Sequence, residues 1–216
     1  MNSNVILRMR DVAVCLHYAK KHMLVLNKIQ LQKIIYLLDC IDAFLYILLS
    51  EKGHQTYYHG PYDKNIQNAA DILVFHLLVD VDNIKMLGNG DVSCGYSLTN
   101  DGDGWVSNLL ENDLNTQNRS KIISGLLDSL LSRGLINNIV QLVYAEPIFV
   151  KNQRSGYGVN LDFKDLDQND VFSFMTIVLD AFSKEKQNIY VPFICDLLVD
   201  YLSRRVLALA ATNEEG

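Results

Sequence analysis

Proline is scarce in this chain: Pro61, Pro147 and Pro192 are the only three in 216 residues, so little interrupts long helices. The four cysteines, Cys15, Cys40, Cys94 and Cys195, stand far apart without a CxxC pair. That argues against a disulfide framework or a zinc ribbon and reads as reduced, buried thiols of a cytoplasmic protein. No apolar run reaches the roughly 20 residues that a membrane helix needs. The greasiest stretch, Ile34 to Leu49, carries Asp39 and Asp42 and predicts a buried helix, so no membrane is expected as a partner. The first ten residues hold no apolar segment ahead of their charges, and no secretory signal is expected. Paired metal spacing is also missing among His17, His22, His54, His59 and His76. No Ser-His-Asp or Cys-His pairing is suggested by local sequence, which predicts a protein that is not an enzyme and holds no cofactor or metal.

What is present is a packed, helical composition, with 49% hydrophobic and 20% charged residues, which excludes a disordered chain. The net charge of -6 is unevenly spread. Residues 1 to 33 hold six bases against one acid, residues 34 to 117 hold three bases against twelve acids, and the remainder holds ten against twelve. The basic end and the acidic middle therefore have different prospects with an anionic partner.

Apolar residues recur at three- and four-residue spacing through most of the chain. Val5, Met9, Val12, Leu16 and Ala19 line one face of a predicted helix over Val5 to Lys21. Asn27 is a suitable cap for a second helix running through Leu49, so apolar that it must be covered on most sides. Gln55 to His59 reads as extended, Gly60-Pro61 as a turn, and Asp63 as the cap of a helix over Lys64 to Asp80 with Ile66, Ala69, Ala70, Leu73 and Leu77 inward. His76 falls inside that apolar pattern and is expected in the core. Ile84 to Met86 and Val92 to Leu98 flank Gly88-Asn89-Gly90-Asp91, a β-hairpin pattern. Asn100 or Asp101 is expected to cap a helix carrying Trp105, Val106, Leu109 and Leu110.

The order helix, helix, strand, helix, hairpin predicts a winged-helix-like domain over residues 1–114. Asn112 to Ser120, polar but for Leu114, reads as a linker to a helical domain over 118–216. There, helices are expected at Ile122 to Arg133 before Gly134, at Leu135 to Glu146, at Asp170 to Lys184 and at Ile189 to Ala211, with Pro147 to Leu161 as a loop and the last five residues as a solvated tail. The fold class is thus mainly α with a small β-hairpin.

Two loops invite ligand readings that their spacing does not support. Asp162, Asp165, Asp167 and Asp170 lack the central glycine and closing glutamate of a calcium loop. Arg154 with Gly156-Tyr157-Gly158 lacks the spacing of a phosphate-binding loop. Tyr57, Tyr58, His59, Gly60, Pro61, Tyr62 and Asp63 form the best candidate for binding a protein partner, because rings around a tight turn offer large contact area at low entropic cost. The competing reading is that two or three of those rings close the core beneath the turn. The helix after Asp63, where a winged-helix protein would read DNA, carries Asp63, Asp71 and Asp80 against Lys64, a sign that repels phosphate. A DNA-binding regulator would have to use Lys20, Lys21, Lys28 and Lys33 instead.

These elements together resemble the antitoxin-associated domain called Panacea or SocA-like, and related bacterial proteins with a His-Gly-Pro-Tyr turn. The residues that carry the resemblance are Lys28, Leu31, Lys33 and Tyr36, then Gly60, Pro61 and Asp63, then Tyr96, Leu98, Thr99 and Gly102. It covers roughly the first 110 residues. It implies a partner-binding protein that neutralises a toxin or serves in phage defence, sometimes with autoregulatory DNA binding. Taken with the residues, it leads to the expectation of a bacterial or phage protein that binds its partner through the aromatic turn and an adjoining acidic surface. Here Thr56-Tyr57-Tyr58-His59 replaces the Trp-containing stretch common in that family, and the C-terminal half exceeds its compact members.

Overall fold

Side chains that accept from free backbone amides mark where most of the helices begin. In the computed structural model, which describes residues 3–45, 53–86, 88, 92–163, 170–184 and 190–214, helix α1 covers Ser3–Lys21 and ends on two lysines that complement its dipole. Asn27 then caps α2 (Lys28–Leu45) as expected. Its Oδ1 accepts from the Gln30 amide at 2.9 Å, and Gln30 Oε1 accepts from the Asn27 amide at 2.9 Å, a reciprocal capping box. Buried positions run without a break from Leu31 to Phe44, so α2 is covered on every side. The expected continuation to Leu49 lies outside the described residues.

Asp63 caps α3 (Lys64–Phe75) by accepting from the Asn65 amide at 2.8 Å. This helix is shorter than its apolar spacing suggests. Leu77 adopts φ +59 and turns the chain outward, leaving both His76 and Leu77 exposed rather than in the core. The reason is tertiary: the chain must enter strand β2 (Val79–Met86), where Val79 is buried opposite Leu98 of β3 (Val92–Leu98). The expected hairpin is present, with its first strand starting five residues ahead of Ile84. An additional short strand, β1 (Leu26–Asn27), pairs Leu26 with Tyr96 and completes an antiparallel sheet of order β1-β3-β2. The succession α1-β1-α2-α3-β2-β3 and this strand order are compatible with a winged-helix arrangement.

Thr99, rather than Asn100 or Asp101, caps α4 (Asn100–Asn112). Its hydroxyl accepts from the Gly102 amide and donates to the Leu77 carbonyl, both at 3.0 Å. The polar stretch expected to be a linker is helical: Asp113 caps α5 (Leu114–Ser132) directly after α4. Its polar residues are not all solvated, since Thr116, Arg119 and Ser120 point into the protein. Beyond Gly134, a 3-10 turn at Ile136–Asn138 leads into α6 (Ile139–Tyr144). The expected helix over Leu135 to Glu146 is therefore two shorter pieces. The expected loop after it opens with α7 (Pro147–Gln153), because proline fits the first helical position and Glu146 accepts from the Ile148 and Phe149 amides. Helices α8 (Asp170–Lys184) and α9 (Val191–Glu214) follow, α9 running on through most of the expected tail.

The protein is mainly helical with one small antiparallel sheet. One hydrophobic core joins Val12 and Leu16 of α1, Ile34 and Ile41 of α2, Leu73 of α3 and Leu98 of β3 to Leu126 of α5 and Leu198 of α9. It runs through both halves of the chain. Cys15, Cys40 and Cys195 are buried, and all four cysteines are free thiols.

Candidate interaction site

Beneath the Gly-Pro turn lies a cluster of buried charge that local sequence does not announce. Arg8 on α1 reaches Asp11 at 3.1 Å, Asp39 of α2 at 2.6 Å and Asp63 at 2.8 Å. Arg119 on α5 takes Asp11 with two nitrogens at 2.7 and 2.8 Å, Asp42 at 2.9 Å and Asp39 at 2.9 Å. All of these side chains are withdrawn from solvent. Burial works against the charge of both arginines, yet the carboxylates of Asp39 and Asp11 outweigh it and hold each guanidinium more firmly protonated than usual. His54, also buried, meets Asp39 through Nε2 at 3.0 Å and lies edge-on to Tyr36. Its burial lowers its pKa against the opposing pull of Asp39.

This cluster holds the turn from below. One oxygen of Asp63 faces Arg8 while the other caps α3, and its backbone exchanges two hydrogen bonds of 3.0 Å with the Gln32 amide side chain. Lys33 donates to the Pro61 carbonyl at 2.9 Å from a buried position, where desolvation lowers its pKa to about 7. Gln55 and Tyr62 exchange backbone bonds of 3.0 and 2.9 Å across the turn. Gln55 thus forms isolated antiparallel bridges with Tyr62 and Asn160, and the turn itself begins at Tyr58.

A second loop is stitched to the first. Thr56 receives the Gly158 amide at 2.8 Å and donates its own amide to Val159 at 2.9 Å, while its hydroxyl donates to the Gly156 carbonyl at 2.6 Å. The Leu161 amide donates to the His54 carbonyl at 3.0 Å, and Gln55 donates to Asn160 at 2.9 Å. Tyr36 donates to Glu146, the cap of α7, and so fixes the helix that leads into this loop. Burial raises the Glu146 pKa against the bonds from Tyr36 and the α7 amides.

The rings lie on top of this lattice. Tyr57, Tyr58 and Tyr157 are 48%, 64% and 61% exposed. Ring centroids stand 4.1 Å apart for Tyr58 and Tyr157, 5.4 Å for Tyr57 and Tyr58, and 5.2 Å for Tyr57 and Tyr62. Tyr144 stacks on Phe149 at 5.5 Å beside them, its phenol pKa raised by burial and by Tyr157. Gly60, at φ +90, passes so close that a Cβ there would stand 2.8 Å from both Lys33 Nζ and a Tyr144 ring carbon. Of the residues singled out in the sequence, Tyr57, Tyr58 and His59 are at the surface, Tyr62 is half-buried, and Gly60, Pro61 and Asp63 form the floor. Tyr144 and Tyr157 were missed as members. The sequence signal for the second loop is Gly156-Tyr157-Gly158, a ring held between two glycines.

The lysines named for nucleic-acid contact do not form one surface. Lys20, Lys21 and Lys28 are exposed, but Lys33 is buried under Pro61, as is Arg8 within its carboxylates. Lys28 lies 6.0 Å from the Tyr62 ring centre. Asp165 and Asp167 lie outside the described residues, among which no group of three His, Cys, Asp or Glu is placed to hold a metal. No described helix is long and apolar enough to cross a membrane. No family model matches the chain, and no curated protein matches it.

Proposed function

We propose that this chain is a non-enzymatic interaction module that binds a protein partner through its tyrosine platform. The observation that carries the proposal is that two loops distant in sequence are hydrogen-bonded to each other and to buried charge so that their rings face outward. Tyrosine contributes large, two-torsion contact area, and a platform held rigid before binding loses little entropy when a partner arrives. The resemblance of the first half to Panacea or SocA-like domains supports a toxin or another defence component as that partner, and a cytoplasmic location suits four free thiols. The motif residues behind the resemblance have structural work here: Lys33 holds Pro61, Asp63 caps α3, and Thr99 with Gly102 starts α4. A DNA-binding role has less support, because burial of Lys33 and Arg8 removes two of the six bases on which it would rely.

The test is co-purification of the full chain from its native host, beside a Tyr58→Ala/Tyr157→Ala variant with unchanged circular dichroism. A stoichiometric protein retained by the wild type and lost by the variant is expected. Equal retention by both, or a complex dissolved by nuclease, would sink the proposal.

A further inference from the structure

The geometry points to an acidic segment of the partner protein as the occupant of the tyrosine platform, an inference that rests on the interaction reading above. The chain as a whole is acidic at -6, yet the two loops that build the platform are not. Across residues 53–68 the one acid is Asp63, buried and paired with Arg8, and across 147–161 there is none. The same segments expose Lys64, Lys151 and Arg154, and Lys28 adds a fourth cation beside Tyr62. Among the described residues, the exposed acids that follow these segments in the chain are Asp71, which accepts from Gln67 at 2.6 Å and whose charge adds to burial in raising the Tyr62 pKa, and Asp162. The exposed ions carried by these two segments are thus all cations, where the charge of the middle segment led to an acidic surface being expected beside the turn.

The chemistry of the rings agrees with that sign. Phenol hydroxyls exposed at Tyr57, Tyr58 and Tyr157 can donate to carboxylates, and such charge-assisted bonds are shorter and stronger than neutral ones. The main alternative anion is a single-stranded nucleic acid, whose bases stack on open aromatic faces. Tyr58 and Tyr157, 4.1 Å apart, close one face of each ring against the other and withdraw it from such stacking. An extended segment bearing Asp or Glu can instead lie across the packed rings and place its carboxylates toward the flanking cations.

The inference is tested with benzoylphenylalanine at position 59 in place of His59, in the full chain, photo-crosslinked in the native host and mapped by mass spectrometry. The wild-type background and the variants Arg154→Glu, Lys64→Glu and Tyr58→Ala/Tyr157→Ala are compared. The expected result is a crosslinked protein segment of net negative charge, with the crosslink yield falling at least tenfold in either charge reversal and in the tyrosine variant. A neutral or basic segment, or charge reversals that leave the yield unchanged while the tyrosine variant abolishes it, would overturn the acidic occupant and leave the interaction reading intact. Crosslinks to nucleic acid, or none that depend on Tyr58 and Tyr157, would overturn both.

Discussion

Replacing Lys33 by methionine should stabilise this protein at neutral pH and remove much of the rise in stability from pH 7 to 9. The folded chain holds Lys33 at a pKa of about 7, against 10.5 for an exposed lysine. Between those values the unfolded chain binds more protons than the folded one, so stability climbs as pH rises through the window. At about 1.4 kcal/mol per pKa unit, burying this amine costs about 4 kcal/mol at pH 7 and about 2 kcal/mol at pH 9. Methionine fills a similar volume without that cost, but it leaves the Pro61 carbonyl without its donor, a loss of about 1–2 kcal/mol. Lys33→Met is therefore expected to be about 2–3 kcal/mol more stable than the wild type at pH 7 and nearly equal to it at pH 9. Urea unfolding followed by far-ultraviolet circular dichroism at pH 7, 8 and 9 measures both curves. Toward pH 9 the buried Cys15 and Cys195, and at higher pH Tyr36, all with raised pKa values, ionise first in the unfolded chain and pull stability down in both proteins. Parallel curves for the two proteins, or a variant less stable at pH 7 than at pH 9 relative to wild type, would refute the reasoning.

Arg119→Met leaves Asp11, Asp39 and Asp42 short of a buried cation that bonds to all three. It should cost about 3–5 kcal/mol, read as a lower urea midpoint. Gly102→Ala would put a Cβ 2.1 Å from the Leu78 carbonyl oxygen; a fall in melting temperature larger than that of Thr99→Ala, which should cost about 1 kcal/mol, is expected. Gly60→Ala meets both a left-handed backbone and the Tyr144 ring, so a loss of about 1–3 kcal/mol should accompany a changed near-ultraviolet tyrosine spectrum. If that spectrum is unchanged, the floor does not hold the rings as described.

Much of the architecture was legible because it is local. Helical spacing placed α1, α2, α8 and α9, and the oxygens of Asn27 and Asp63 marked two helix starts, since a cap satisfies amides within three residues of itself. The alternating pattern from Val92 to Leu98 marked β3 for the same reason. Local pattern failed where a distant partner decided the outcome. The α3 helix stops early because β2 must pair with β3, and the polar stretch around Arg119 is helix because its arginine is spent on carboxylates of α1 and α2.

The candidate site divides along the same line. The sequence by itself determined the tight Gly-Pro turn, its aromatic residues and its Asp63 cap, all governed by backbone sterics and bonds between near neighbours. Only the tertiary structure decided which of those residues face solvent, that Tyr58 stacks on Tyr157, and that Lys33 and Arg8 are buried beneath the turn. Side chains remote in sequence meet only when the core closes, and the charge of a surface depends on which ions the fold has already paired.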